Sequence, residues 1–230
     1  MTPDRHTSKD PVKALKAALT DELRLDPVAF PIDVQMENGS IMVDGVVEKV
    51  SQKKRAILFA MGLDGVSGVI DRLRVRPSSH MSDDEIKKHI YDAIAGENAL
   101  TGLKIETEVI NGIVDLEGEV WSLSHKRLAG ALAWWVPGAT DVINSIEVVP
   151  SESDSDDEVS DALRLILEKD RLVDAASIKV RTRDWVVTLE GVTGSAAERE
   201  AAEDDAWFTW GVNGVVNKII VDATSVHKLP

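Results

Sequence analysis

Cysteine is absent from this 230-residue chain, which excludes a disulfide framework, a thiolate nucleophile and a thiolate metal site. No stretch approaches the roughly 20 apolar residues of a membrane-spanning helix. The opening Met-Thr-Pro-Asp-Arg-His-Thr-Ser-Lys-Asp lacks the apolar core of a secretory signal, so a soluble, cytoplasmic protein is expected. Positive charge is scarce as well: 26 Lys and Arg face 40 Asp and Glu, for a net charge of −14. The deficit is uneven, with 12 basic and 11 acidic residues in 1–77, 5 and 12 in 78–150, and 9 and 17 in 151–230. Such a chain as a whole is repelled by nucleic acid, which is excluded as a partner, and by an anionic bilayer. Tyrosine occurs once, against six tryptophans, so what aromatic surface there is rests on indole rings.

What is present is a repeat. Gly45, Gly118 and Gly191 are separated by 73 residues each, and the same spacing relates Gly65, Gly138 and Gly211, then Val69, Val142 and Val215, then Ile32, Ile105 and Ile178. A period this long, shared by turn and core positions, means three copies of a small domain and not a thin solenoid. Domains are expected at 10–77, 82–150 and 156–223, with residues 1–9 disordered. The polar runs Arg76 to Asp84 and Pro150 to Asp157 read as linkers. Each copy is near the lower size limit for burying its own core, which predicts packing between copies and leaves homo-oligomers open.

Each copy reads α-β-β-α-β. A first helix carries Val12, Leu15, Leu19 and Leu23, then Ile86, Ile90 and Ile94, then Val159, Leu163 and Leu167. The first copy is offset by two residues, from which a shorter loop before its first strand is expected. A hairpin follows, turning at Asn38-Gly39 and Asn111-Gly112 and leaving the sheet at Gly45, Gly118 and Gly191. Candidate starts for the second helix are Ser51, Ser122 or Ser124, and Ser195 with Glu198. Its small inward stripe is Ala56, Ala60 and Leu63, then Ala129, Ala133 and Val136, then Ala202 and Ala206, and Gly65, Gly138 and Gly211 end it. A last strand closes each copy. The fold class is α+β, three tandem domains, each a three-stranded sheet covered on one face by two helices.

With these motifs the chain resembles the BON family, the bacterial osmotic-shock and nodulation domain. The likeness rests on the helix stripe, Gly39, Gly112, the strand glycines, the segments around Gly65, Gly138 and Gly211, and Asn144 and Asn217 on the last strand, with Asp71 in their place in the first copy. The resemblance implies a non-catalytic, transport-associated or stress-related module that binds phospholipid or membrane surfaces. A protein-interaction adaptor is the alternative, and ion binding a third. Many relatives are exported, which makes a periplasmic location the alternative to the cytoplasm. Asp184-Trp185 replaces Asn-Gly in the third hairpin; a tryptophan at positive φ is costly, so another turn type is expected there.

No catalytic constellation emerges and no cofactor is implied. His6, His80, His89, His125 and His227 occupy unrelated repeat positions. Gly62, Gly65 and Gly68 follow a helix and lack the Lys-Ser/Thr ending of a phosphate loop. Asp154 to Asp157 lacks the glycine and terminal Glu of a calcium loop. Two surfaces stand out instead. Trp134, Trp135, Trp207, Phe208 and Trp210 lie off the alanine stripe and form a candidate contact surface between copies or with a protein partner. Lys53, Lys54, Arg55, Arg72, Arg74 and Arg76 form a candidate anion or lipid-headgroup patch, the alternation of the arginines placing them on one sheet face.

Overall fold

The computed structural model describes residues 10–222; the segment 1–9, His6 and His227 lie outside the described residues. The described residues fall into two compact units that part between Arg76 and Pro77.

The first unit holds one module: α1 (Pro11–Asp21), β1 (Ile32–Glu37), β2 (Ser40–Val47), α2 (Val50–Met61) and β3 (Gly68–Val75). β2 is central, antiparallel to β1 and parallel to β3. Helices cover one face, where Leu15, Leu19, Ile41, Val43, Ala56, Ala60 and Leu73 are buried together. The loop before β1 is longer than its counterparts, not shorter: it runs from Glu22 to Pro31, because α1 stops early and the chain then folds Leu23, Leu25 and Phe30 into the core.

The second unit holds the other two modules. The middle one comprises α3 (Asp83–Gly96), β4 (Lys104–Ile110), β5 (Ile113–Val120), α4 (Leu123–Trp134), β6 (Asp141–Asn144) and β7 (Glu147–Val148). Its last strand is split, and both pieces pair in parallel with β5. The third comprises α5 (Asp156–Lys169), β8 (Ile178–Arg183), β9 (Val186–Thr193), α6 (Ala196–Phe208) and β10 (Gly214–Val221), with β9 central. All three modules therefore have the α-β-β-α-β order and one helix-covered sheet face.

Local details depart from the expected stops and starts. α2 begins at Val50, one residue before Ser51, because the Gln52 side chain accepts from the backbone N–H of Glu48 and Lys49. Ser122 and Ser195 do cap α4 and α6. The helices end before Gly65, Gly138 and Gly211, which lie in the turn that follows; Gly65 and Gly211 take positive φ there. Gly138 does not. It is needed for space, since a Cβ would stand 2.8 Å from Met81 Cβ and Ile86 Cγ1.

Gly45, Gly118 and Gly191 sit two residues inside their strands, not at the exit. Each faces the start of the hairpin's first strand, and at Gly118 and Gly191 a Cβ would lie 2.2 and 2.1 Å from the carbonyl oxygens of Lys104 and Ser177. The third hairpin keeps the turn geometry despite its sequence: Asp184 and Trp185 have φ of 51° and 62°. The strain is offset by Asp156 in the first turn of α5, whose carboxylate accepts from both turn N–H groups at 2.8 and 2.9 Å. Asp83 does the same for Asn111 and Gly112 at 2.8 Å each.

Candidate functional site

The aromatic residues singled out from sequence gather where the middle and third modules meet. α4 packs against α5 and α6, and Ile166 of α5 enters the core of the middle module. Trp134 stacks on Phe208, ring centroids 5.9 Å apart and planes 12° from parallel. Trp135 donates its indole N–H to Asp205 Oδ1 at 2.8 Å. Trp207 is buried, while Trp210 is half out, its ring beneath Lys126 and Arg127. This surface is thus spent largely inside the chain.

Buried charge fixes the contact. Arg127 is fully buried; its guanidinium pairs with both oxygens of Asp154 at 2.7 Å and donates to the Trp210 carbonyl at 2.9 Å. Lys169 pairs with Glu97 at 2.9 Å. Asp205 is almost wholly buried, and that burial, with Asp170 and Asp204 nearby, pushes its carboxyl up to about 8 against the opposing Trp135 hydrogen bond. A cleft of about 440 Å³ beside it is lined by Trp135, Asp170, Arg171, Asp204 and Phe208.

Lys53, Lys54, Arg55, Arg72, Arg74 and Arg76 of the first module do not form one patch. Lys53 is buried on the helix side, bonded to Asp71 at 2.8 Å and to the Leu73 carbonyl at 2.6 Å. Lys54 is partly buried, and desolvation pushes its ammonium down to about 7. Arg55 is exposed on the same helix. Arg72 and Arg74 point to the opposite, open sheet face, and Arg76 lies beyond the strand with its guanidinium 4.3 Å from the Phe30 ring centre. The Lys53–Asp71 pair ties the last strand to the second helix, as Asn144 does by donating to the Lys126 carbonyl and Asn217 to the Arg199 carbonyl.

A second cationic group is not evident from the sequence. Strand register puts Lys179, Arg181 and Arg183 of β8 and Lys218 of β10 on the open face of the third sheet, with Glu190 the one acidic residue among them. Val192, Val216 and Ile220 share that face at 41, 43 and 65% exposure. The alternation Lys-Val-Arg-Thr-Arg was the available signal, masked by the acidic total of the third module. The middle sheet's open face is the reverse, bearing Glu106, Glu108, Asp115, Glu117, Glu119 and Glu147 against Lys104.

Among the described residues no group of His, Asp or Glu is placed to hold a metal ion, and no helix is long and apolar enough to cross a membrane. His125 shares a hydrogen bond with Ser122 at the start of α4, a structural use.

A sequence profile described as "BON domain" matches residues 12–77, 82–150 and 155–223. "Osmotically-inducible protein Y" of Escherichia coli (strain K12) is 27% identical over 139 residues, covering 58% of this chain and 68% of that protein. Among solved structures, the C-terminal domain of CdsD, "the structural protein of the Type III secretion system of Chlamydia trachomatis", is 16% identical, with 94% of this chain and 98% of that chain covered and a TM-score of 0.25. The PrgH periplasmic domain is 14% identical, with coverages of 88% and 98% and a TM-score of 0.24.

Proposed function

Because the chain belongs to the BON domain family, three times over, we propose that it is a non-catalytic stress-response protein that docks on anionic phospholipid surfaces through the open sheet face of its third module. The observation that carries this reading is the placement of Lys179, Arg181, Arg183 and Lys218 around exposed Val192, Val216 and Ile220. Basic residues near an anionic bilayer contribute about 1 kcal/mol each, and neighbouring apolar side chains add burial at the headgroup boundary. This face overcomes the repulsion expected from the net charge, because screening confines the interaction to charges within about 8 Å of the surface at physiological salt. The match to an osmotically inducible protein supports the stress assignment.

The adaptor reading is weakened by the structure, since the tryptophan-bearing helix surfaces meet each other between the middle and third modules. We place the encounter at the cytoplasmic leaflet, whose anionic lipids give the membrane its negative surface potential. Fractionation of cells carrying the full-length chain checks the compartment, and recovery with the periplasm would contradict it. Docking itself is tested by co-sedimentation with neutral and with phosphatidylglycerol-containing vesicles. Binding to the anionic vesicles alone, weakened by salt, is expected; equal binding to both, or none, overturns the reading.

A further inference from the structure

The middle sheet carries an electrostatic liability on its open face. Glu106 stands opposite Glu117, Glu108 opposite Asp115, and Glu119 opposite Glu147. Like charges directly across strands are destabilising. Within this sheet only Lys104, opposite Glu119, offsets them. On the third sheet the balance is inverted, with Lys179, Arg181, Arg183 and Lys218 against Glu190.

We propose that the acidic open face of the middle module takes the basic open face of the third module of a second copy of this chain. The two faces cannot meet within one chain, since the modules pack helix to helix and both sheets turn their open faces outward from that contact. Between copies they can stack as two sheets about 10 Å apart. Exposed apolar residues stand among the charges on both sides, Ile110 and Ile143 on the acidic sheet and Val216 and Ile220 on the basic one. Each chain offers one face of each sign, and the two open away from one another, so the contact is head-to-tail and builds rings or open chains. It is driven by charge and weakens with salt. The proposal goes beyond lipid docking: the carboxylates of a second copy occupy the surface that a bilayer would otherwise take.

Sedimentation velocity of the full chain, without lipid, tests it. At low ionic strength the wild-type chain is expected to sediment faster as concentration rises. At about 0.5 M salt, where exposed charges are screened within about 5 Å, it runs as a single small species. Glu106→Lys with Glu117→Lys, and separately Lys179→Glu with Arg181→Glu, each weaken association at least tenfold. An equimolar mixture of the two variants associates again, because the first keeps its basic face, the second keeps its acidic face, and the two reversed faces complement each other. That mixed species also shows that both variants are folded. A wild-type chain that stays monomeric at low salt, variants that associate like wild type, or a mixture that does not pair would each overturn the proposal. Lipid is absent throughout, so failure here leaves the docking reading to its own vesicle test.

Discussion

Trp135 of the middle module and Asp205 of the third are joined by a 2.8 Å hydrogen bond from the indole N–H to a carboxyl that burial holds protonated up to about pH 8. An unfolded aspartate releases its proton near 3.8, so Asp205 contributes stability that is full below that value and lost as pH rises toward 8. Above about 8 both states are ionised and the loss levels off. Asp205→Asn removes the titration while keeping an acceptor for Trp135. The stability of wild type relative to this variant should fall between pH 5 and 8, by up to about 1.4 kcal/mol per pH unit. Denaturant unfolding at several pH values measures it, and a flat difference would contradict the assignment.

All six tryptophans lie between positions 121 and 210, so intrinsic fluorescence reports the second unit alone. Followed this way, Arg127→Ala should destabilise that unit by about 3 kcal/mol, since it strips the buried partner from Asp154 and the Trp210 carbonyl. A cost under about 1 kcal/mol would mean that the pair is solvated in solution.

The stacked rings of Trp134 and Phe208 couple the two modules directly. A double-mutant cycle with alanine at each position should give a coupling of about 0.5–1.5 kcal/mol beyond simple burial. Replacing Trp134 and Trp135 together with polar residues should enlarge the radius of the full chain in solution scattering. Additive single effects and an unchanged radius would show that the modules do not hold together through these rings.

Asp156 holds a strained turn that Asp83 holds without strain, since Trp185 rather than glycine takes the second positive-φ position in the third hairpin. Asp156→Ala should cost about 1–3 kcal/mol, and more than Asp83→Ala. Hydrogen exchange at the Asp184 and Trp185 amides checks it, with faster exchange expected only in the Asp156 variant.

The 73-residue spacing carried most of the fold, because turns and the alanine stripe are local features that repeat with the chain: Ala56, Ala129 and Ala202 are all fully buried. Long-range consequences were not legible. Lys53 and Arg72 look like one cationic cluster in sequence, yet one lies under a helix and the other on the open face. Net charge misled in the third module for the same reason, since acidic residues on α5 and α6 outnumber Lys179, Arg181 and Arg183 without sharing their face. Trp185 in sequence argues for another hairpin turn, but Asp156, 28 residues before Asp184, supplies the hydrogen bonds that hold this one.

The most direct test of lipid docking is a titration of phosphatidylglycerol-containing vesicles with three full-length chains: wild type, Lys179→Glu with Arg181→Glu, and Arg72→Glu with Arg74→Glu. Reversal on the third module should weaken binding at least tenfold, as expected for the loss of about 2 kcal/mol or more of headgroup attraction. Reversal on the first module should change it less than twofold. Equal binding by all three chains, or a loss confined to the Arg72 and Arg74 variant, would contradict the assignment of the lipid surface to the third module.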